Sequence, residues 1–198
     1  MKKYHYLILF LFASINIFSQ TNEKKYFFVF LNTNPDRKEL TEDKVMELQQ
    51  GHMNNINKLF KEGKLITAGP VKGGGGIFVL HADSLDEAMK YLQSDPAIEA
   101  GRFKLEVLPM DIIKGKLCVV SEGNFSMVNY SFLRYEGQFI SDNELLLAQI
   151  EFKDENGGVA VINYDLENGS EDELNGFYTA EKIIYTKTLW IGKGSFCE

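Results

Sequence analysis

Between Tyr26 and Leu108 the apolar positions switch repeatedly between the spacing of a strand and the spacing of a helix. Tyr26-Phe27-Phe28-Val29-Phe30-Leu31 is an unbroken aromatic and β-branched run, stopped by the turn-prone Asn32-Thr33-Asn34-Pro35-Asp36, and it predicts a buried central strand. From Thr41 to Glu62 the residues Val45, Leu48, Ile56, Leu59 and Phe60 recur at helical spacing, and Gly63 stops the helix. Leu65-Ile66-Thr67-Ala68 reads as a short strand broken at Gly69-Pro70, and Gly73 to Gly76 as a flexible hairpin before the strand Ile77 to His81.

A second helix is better specified. Ser84 and Glu87 make a capping box, and Leu85, Ala88, Met89 and Leu92 fall on one helical face that ends at Ser94-Asp95-Pro96. Phe103-Lys104-Leu105-Glu106-Val107-Leu108 then alternates apolar and charged residues as a half-buried strand does. Two helices must cover one face of a four-stranded antiparallel sheet, which predicts an α+β fold of ferredoxin-like βαββαβ order.

The remainder of the chain reads as a worn second copy. Gly157-Gly158-Val159-Ala160-Val161-Ile162 echoes Gly75-Gly76-Ile77-Phe78-Val79-Leu80, and Lys193-Gly194-Ser195-Phe196-Cys197 echoes Lys114-Gly115-Lys116-Leu117-Cys118 at nearly the same offset. Its first strand would start at Met127, but Glu136 to Gln149 is too short for a long first helix, and the short helix near Ser170-Glu171-Asp172-Glu173-Leu174 lacks an Asp-Pro stop. The expected organisation is a leader over 1–20, a first domain over 24–117 and a degenerate copy over 125–198.

The leader is expected from Lys2 and Lys3, the apolar stretch Leu7 to Phe18 and the polar Thr21-Asn22-Glu23-Lys24-Lys25, a pattern that predicts export to the periplasm or beyond. The stretch falls short of the ~20 apolar residues of a spanning helix, so no membrane association is expected after cleavage. The chain of 198 residues carries a formal charge of −7, and loss of the two N-terminal lysines makes it more acidic. Nucleic acid is therefore an unsuitable partner, because phosphate recognition needs a basic surface. An oxidising compartment would allow Cys118 and Cys197 to pair, whereas two separate thiols are the rival reading.

His52 breaks the apolar pattern of the first helix. Its spacing from Leu48 and Ile56 puts the imidazole on the sheet-facing side, where a titratable group needs a partner. Asp95 is a second polar residue at the end of the other helix, which in this topology packs beside the first, although Asp-Pro is also a plain helix-stop dipeptide and spacing alone does not join the two. The glycine run has no following Lys-Ser or Lys-Thr and is not a P-loop.

His52, then Gly63-Lys64-Leu65-Ile66-Thr67-Ala68-Gly69-Pro70, then Asp95-Pro96-Ala97-Ile98-Glu99-Ala100-Gly101 resembles the YCII-related family of small dimeric α+β barrel proteins, from about Tyr26 to Lys114. The resemblance implies a ferredoxin-like domain paired sheet to sheet into a barrel, with a His–Asp pair facing a cleft. The second half, which has no histidine, would be the built-in partner of an intramolecular pseudo-dimer, a homodimer being the alternative. Relatives that dehydrochlorinate or isomerise small ring compounds imply a lyase or isomerase acting on a small carbonyl compound, with His52 as general base, Asp95 as its orienting carboxylate and no cofactor or metal. Gly69, Pro70, Gly74 and Gly75 are the expected substrate-contacting positions, the glycine amides holding a developing oxyanion. The competing reading is a non-catalytic module for a small ligand or a protein, with the pair purely structural.

Overall fold

A computed structural model describes residues 25–120 and 126–197; the expected leader lies outside the described residues. The first half runs β1 (Tyr26–Thr33), α1 (Glu42–Lys61), β2 (Leu65–Pro70), β3 (Gly76–His81), α2 (Leu85–Gln93), α3 (Pro96–Glu99) and β4 (Phe103–Lys114). Its strands lie in the order β2-β3-β1-β4, all neighbours antiparallel, which is the ferredoxin-like arrangement. β1 is central because both its faces are covered: Phe28 and Phe30 enter one core, Phe27, Val29 and Leu31 the other. The second of these cores joins the outer face of the sheet to the helices, through Leu59 of α1 and Ala88 and Leu92 of α2.

Three local expectations need correction. β2 does not break at Gly69-Pro70 but pairs through it, Gly69 with Ile77 and Pro70 with Gly76; at a strand end the missing proline N–H interrupts little. After α2 the chain makes an extra turn, α3, with Asp95 as its N-cap and Pro96 in its first turn. β4 continues six residues past Leu108, because Met110 to Lys114 pair with another strand of the second half.

The second half contains β5 (Lys116–Leu117), β6 (Met127–Ile140), β7 (Leu146–Phe152), β8 (Gly157–Ile162), α4 (Glu171–Asn175), β9 (Thr179–Gly192) and β10 (Phe196–Cys197). Its four long strands follow the order β7-β8-β6-β9, the order of the first half position for position. The helix after the first strand has no counterpart; the outer face of this sheet is instead covered by Leu174 of α4 with Tyr164, Leu166, Phe177 and Tyr178.

The two sheets join edge to edge at two places. β4 pairs with β7, and the opposite edges meet where Val71 bridges Leu189 and the Lys72 N–H donates to the Thr188 carbonyl at 2.9 Å. A closed eight-stranded barrel results, which removes the open edges a four-stranded sheet would expose. Its interior is packed by Phe28, Phe30, Phe132, Phe152, Ile150 and Leu189, among others. Gly69 belongs to the second joint: a Cβ there would lie 2.6 Å from the Trp190 carbonyl oxygen and 3.1 Å from Cβ of Ile191.

The two segments that echo each other in sequence also pair with each other. Phe196 faces Leu117 across β10 and β5, and Cys118 is bonded to Cys197 as a disulfide with Cα atoms 6.1 Å apart. Each residue thus meets the one that holds its own place in the other half, the relation expected on a two-fold axis.

Candidate active site

α1 owes its position to its ends and to one glycine. Thr41 caps it, accepting a hydrogen bond from the Lys44 N–H, and Glu42 and Asp43 sit at its positive end. Leu48 and Leu59 are buried on its inner side, whereas Val45, read as a packing residue from its spacing, is 43% exposed. Gly51 lies against α3, where the helices approach closely.

His52 follows on the next position. Its Nδ1 donates to Oδ2 of Asp95 at 2.7 Å, and its ring stacks on Phe78 with centres 5.8 Å apart, with Phe103 at the same distance on a tilt. Asp95 is fully buried and its oxygens are divided between two tasks. Oδ1 accepts from the N–H groups of Ala97 and Ile98 at 2.9 and 3.2 Å, and Oδ2 takes His52 together with Nδ2 of Asn55 at 3.3 Å. Burial alone would push this carboxyl up, but the hydrogen bond and charge of His52 and the two backbone N–H donors outweigh it and hold it below the ordinary aspartate range.

An ionised carboxylate only accepts hydrogen bonds. Nδ1 of His52 therefore carries the proton, and in the neutral ring the lone pair is on Nε2. Among the described residues Nε2 makes no hydrogen bond, and His52 lines a cavity of about 840 Å3. The arrangement is that of an oriented base: the acid sealed in the core, the imidazole at the boundary with 12% of its side chain exposed.

The cavity lies between α1, the β2–β3 hairpin and β9. Its apolar wall includes Met53, Ile56, Phe60, Ile77, Phe78 and Trp190. Of the glycine-loop positions expected to touch substrate, Gly69, Pro70 and Gly75 line it and Gly74 does not. Gly74 faces the Thr33 hydroxyl, and its N–H is taken by the Val71 carbonyl at 3.1 Å, so it is not a free oxyanion donor. Gly75 is required by close approach, since at φ +81° a Cβ would lie 2.1 Å from the Leu31 carbonyl oxygen. His81 packs against Tyr26 instead of joining the pair, and among the described residues no three His, Cys, Asp or Glu side chains converge as a metal set.

Sequence reasoning missed two groups. Asn55 is buried, binds Asp95 through Nδ2 and accepts from the Ser94 hydroxyl at 3.0 Å through Oδ1, extending the hydrogen-bonded chain one helix further. Its spacing from His52, three residues on the same helix face, was the available signal. Met127, Trp190, Gly192 and Ser195 reach the cavity from the second half, and nothing in the linear pattern placed them there.

Fold and site together define an α+β barrel with a carboxylate-oriented histidine at the wall of an apolar cleft. Residues 26–111 match the family model of the YCII-related domain, and this part of the chain is a YCII-related domain. A comparison with curated proteins returned no match.

Proposed function

We propose that the protein is a cofactor-independent lyase or isomerase that removes a proton next to a carbonyl group, with His52 as the base and Asp95 as its orienting carboxylate. The carrying observation is the split environment of the pair. Asp95 is sealed and hydrogen-bonded on both oxygens, while the unbonded Nε2 of His52 belongs to a residue on the cavity wall. A carboxylate that fixes the tautomer and supports the imidazolium is what such a base needs. Side-chain donors for a developing oxyanion on the same cavity wall include Thr67, Ser195, Gln49, Asn57 and Lys61. We further propose that residues 125–198 are a degenerate copy of the first domain serving as its fixed partner, and that the chain is exported.

A second reading rests on the other duty of Asp95. Because its Oδ1 caps α3, the carboxylate has a structural reason to be there whatever His52 does. In that reading the protein binds a ligand or partner without turnover.

Deuterium wash-in separates the two. Enolisable ring ketones and lactones are incubated with the protein in D2O and followed by 1H NMR. Exchange next to the carbonyl above the buffer rate, lost in His52→Gln, supports the base. Absence of exchange across the panel, with the same ring tautomer in wild type and Asp95→Asn, leaves the binding module.

A further inference from the structure

We infer that the cavity beside His52 takes an amphipathic carboxylate whose apolar body is larger than a single ring, with its anionic group at Lys61. This inference rests on the same site as the proposed function and deepens it. Size comes first. A cavity of about 840 Å3 stands near the upper end of the ~300–1,000 Å3 range of small-molecule sites, which enclose ligands of several rings or a long chain. A one-ring compound would leave much of it filled with water against an apolar wall.

Charge comes second. The chain holds 28 Asp and Glu residues, yet among the described residues no acid lines the cavity, whose charged or chargeable groups are His52 and Lys61. Among the described residues Lys61 makes no ion pair, although Lys44, Lys64, Lys72 and Lys104 all do. A cationic rim on an acidic protein selects an anionic group.

Spacing comes third. His52 and Lys61 are nine residues apart on α1, about 13 Å of helix rise. His52 stands on the edge of the helix face nearest the sheet and Lys61 on the edge nearest solvent, with Ile56, Met53 and Phe60 between them. A ligand whose anion rests on Lys61 therefore crosses an apolar strip before any of its atoms reaches Nε2.

The chain has a single tryptophan, Trp190, which lines this cavity and is 51% exposed. Its emission reports on the site with no label. Dodecanoate, dodecanol and benzoate are titrated into the intact protein at pH 8 while Trp190 fluorescence is followed. The expected result is a saturable blue shift with dodecanoate, at least tenfold tighter than benzoate. Dodecanol should bind about fivefold more weakly than dodecanoate, the weight of one exposed ion pair. That discrimination disappears in Lys61→Met and survives in Lys58→Met, an exposed lysine of the same turn that is not on the wall. Equal affinity for dodecanoate and dodecanol, equal affinity for benzoate, or no saturable change in Trp190 overturns the inference. Chain-length and headgroup discrimination are read in Lys61→Met, and deuterium exchange is read in His52→Gln. Exchange without dodecanoate discrimination leaves the base and overturns the ligand class, and discrimination without exchange does the reverse, so the two readings fail separately.

Discussion

A methyl group on Gly51 would stand 2.9 Å from Cγ of Pro96, closer than the proline ring can yield to. The glycine costs α1 about 1 kcal/mol of helix propensity and in return lets the helix lie directly on the turn that carries Asp95. Gly51→Ala is expected to separate the two elements and lengthen the His52–Asp95 hydrogen bond. Overpacking of ~1–3 kcal/mol outweighs the gain in propensity, for a net loss of about 1 kcal/mol. A two-bond 15N–1H NMR spectrum of the His52 ring would show a weaker preference for the Nδ1–H form, which a change in global stability alone would leave in place.

Asp95→Asn places an amide where an acceptor of four donors stood. Nδ2 of the new side chain must oppose either Nδ1–H of His52 or the N–H groups of Ala97 and Ile98. Exchange activity should fall by about 100-fold or more, and stability at pH 7 by roughly 1–3 kcal/mol.

The same substitution predicts a change in acid stability. A carboxyl held below its ordinary range when folded stabilises the native state fully above its unfolded value of about 3.9, and that contribution is lost as the pH falls through the lower folded value. Urea unfolding from pH 7 to pH 3 should show a constant gap between wild type and Asp95→Asn down to about pH 4, then a narrowing gap below it. A gap that widens on acidification contradicts the assignment.

Breaking the Cys118–Cys197 disulfide frees a segment with a sequence separation of 79. Constraint of a loop this long is worth up to about 4 kcal/mol in the unfolded state. Cys118→Ser with Cys197→Ser, or reductant on the wild type, should lower stability by ~2–4 kcal/mol. Dodecanoate affinity should fall as well, since Val119 and Val120 beside the disulfide line the cavity.

At the barrel mouth Arg134 lies over the Phe30 ring, 4.5 Å from its centre, and grips both oxygens of Glu106 while reaching Glu155 at 3.1 Å. Bonding to Glu106 raises the guanidinium further above its already high range. Arg134→Met leaves a carboxylate on apolar surroundings and should cost about 3 kcal/mol, most of it recovered in Arg134→Met with Glu106→Leu. A thermal-denaturation double-mutant cycle measures the coupling.

What the linear pattern shows and what it hides follow from the range of the forces involved. The run at Phe27 to Leu31, the Ser84–Glu87 cap and the sheet-facing place of His52 depend on neighbours a few residues away, and each is present in the structure. Asp95 required a guess about topology, and the resemblance supplied the link. The extension of β4 was hidden because Pro109 and the charges of Asp111 and Lys114 look like a strand ending, and only the pairing with β7 makes them one. Gly51 was readable in principle, since an isolated glycine inside a helical pattern signals close packing, but its partner Pro96 is far along the chain.

The strand order occurs twice, but α1 occurs once. A barrel assembled from two identical chains has paired clefts, and any change to a wall strand is copied into the unit that bears the base. Here β4 and β9 hold equivalent places with different residues, and one side of the cleft, with Met127, Trp190, Gly192 and Ser195, comes from the half without the histidine. A substitution at Met127, Trp190 or Ser195 therefore reshapes the cleft without a matching change on the elements that carry His52 and Asp95, and the barrel holds one such pair.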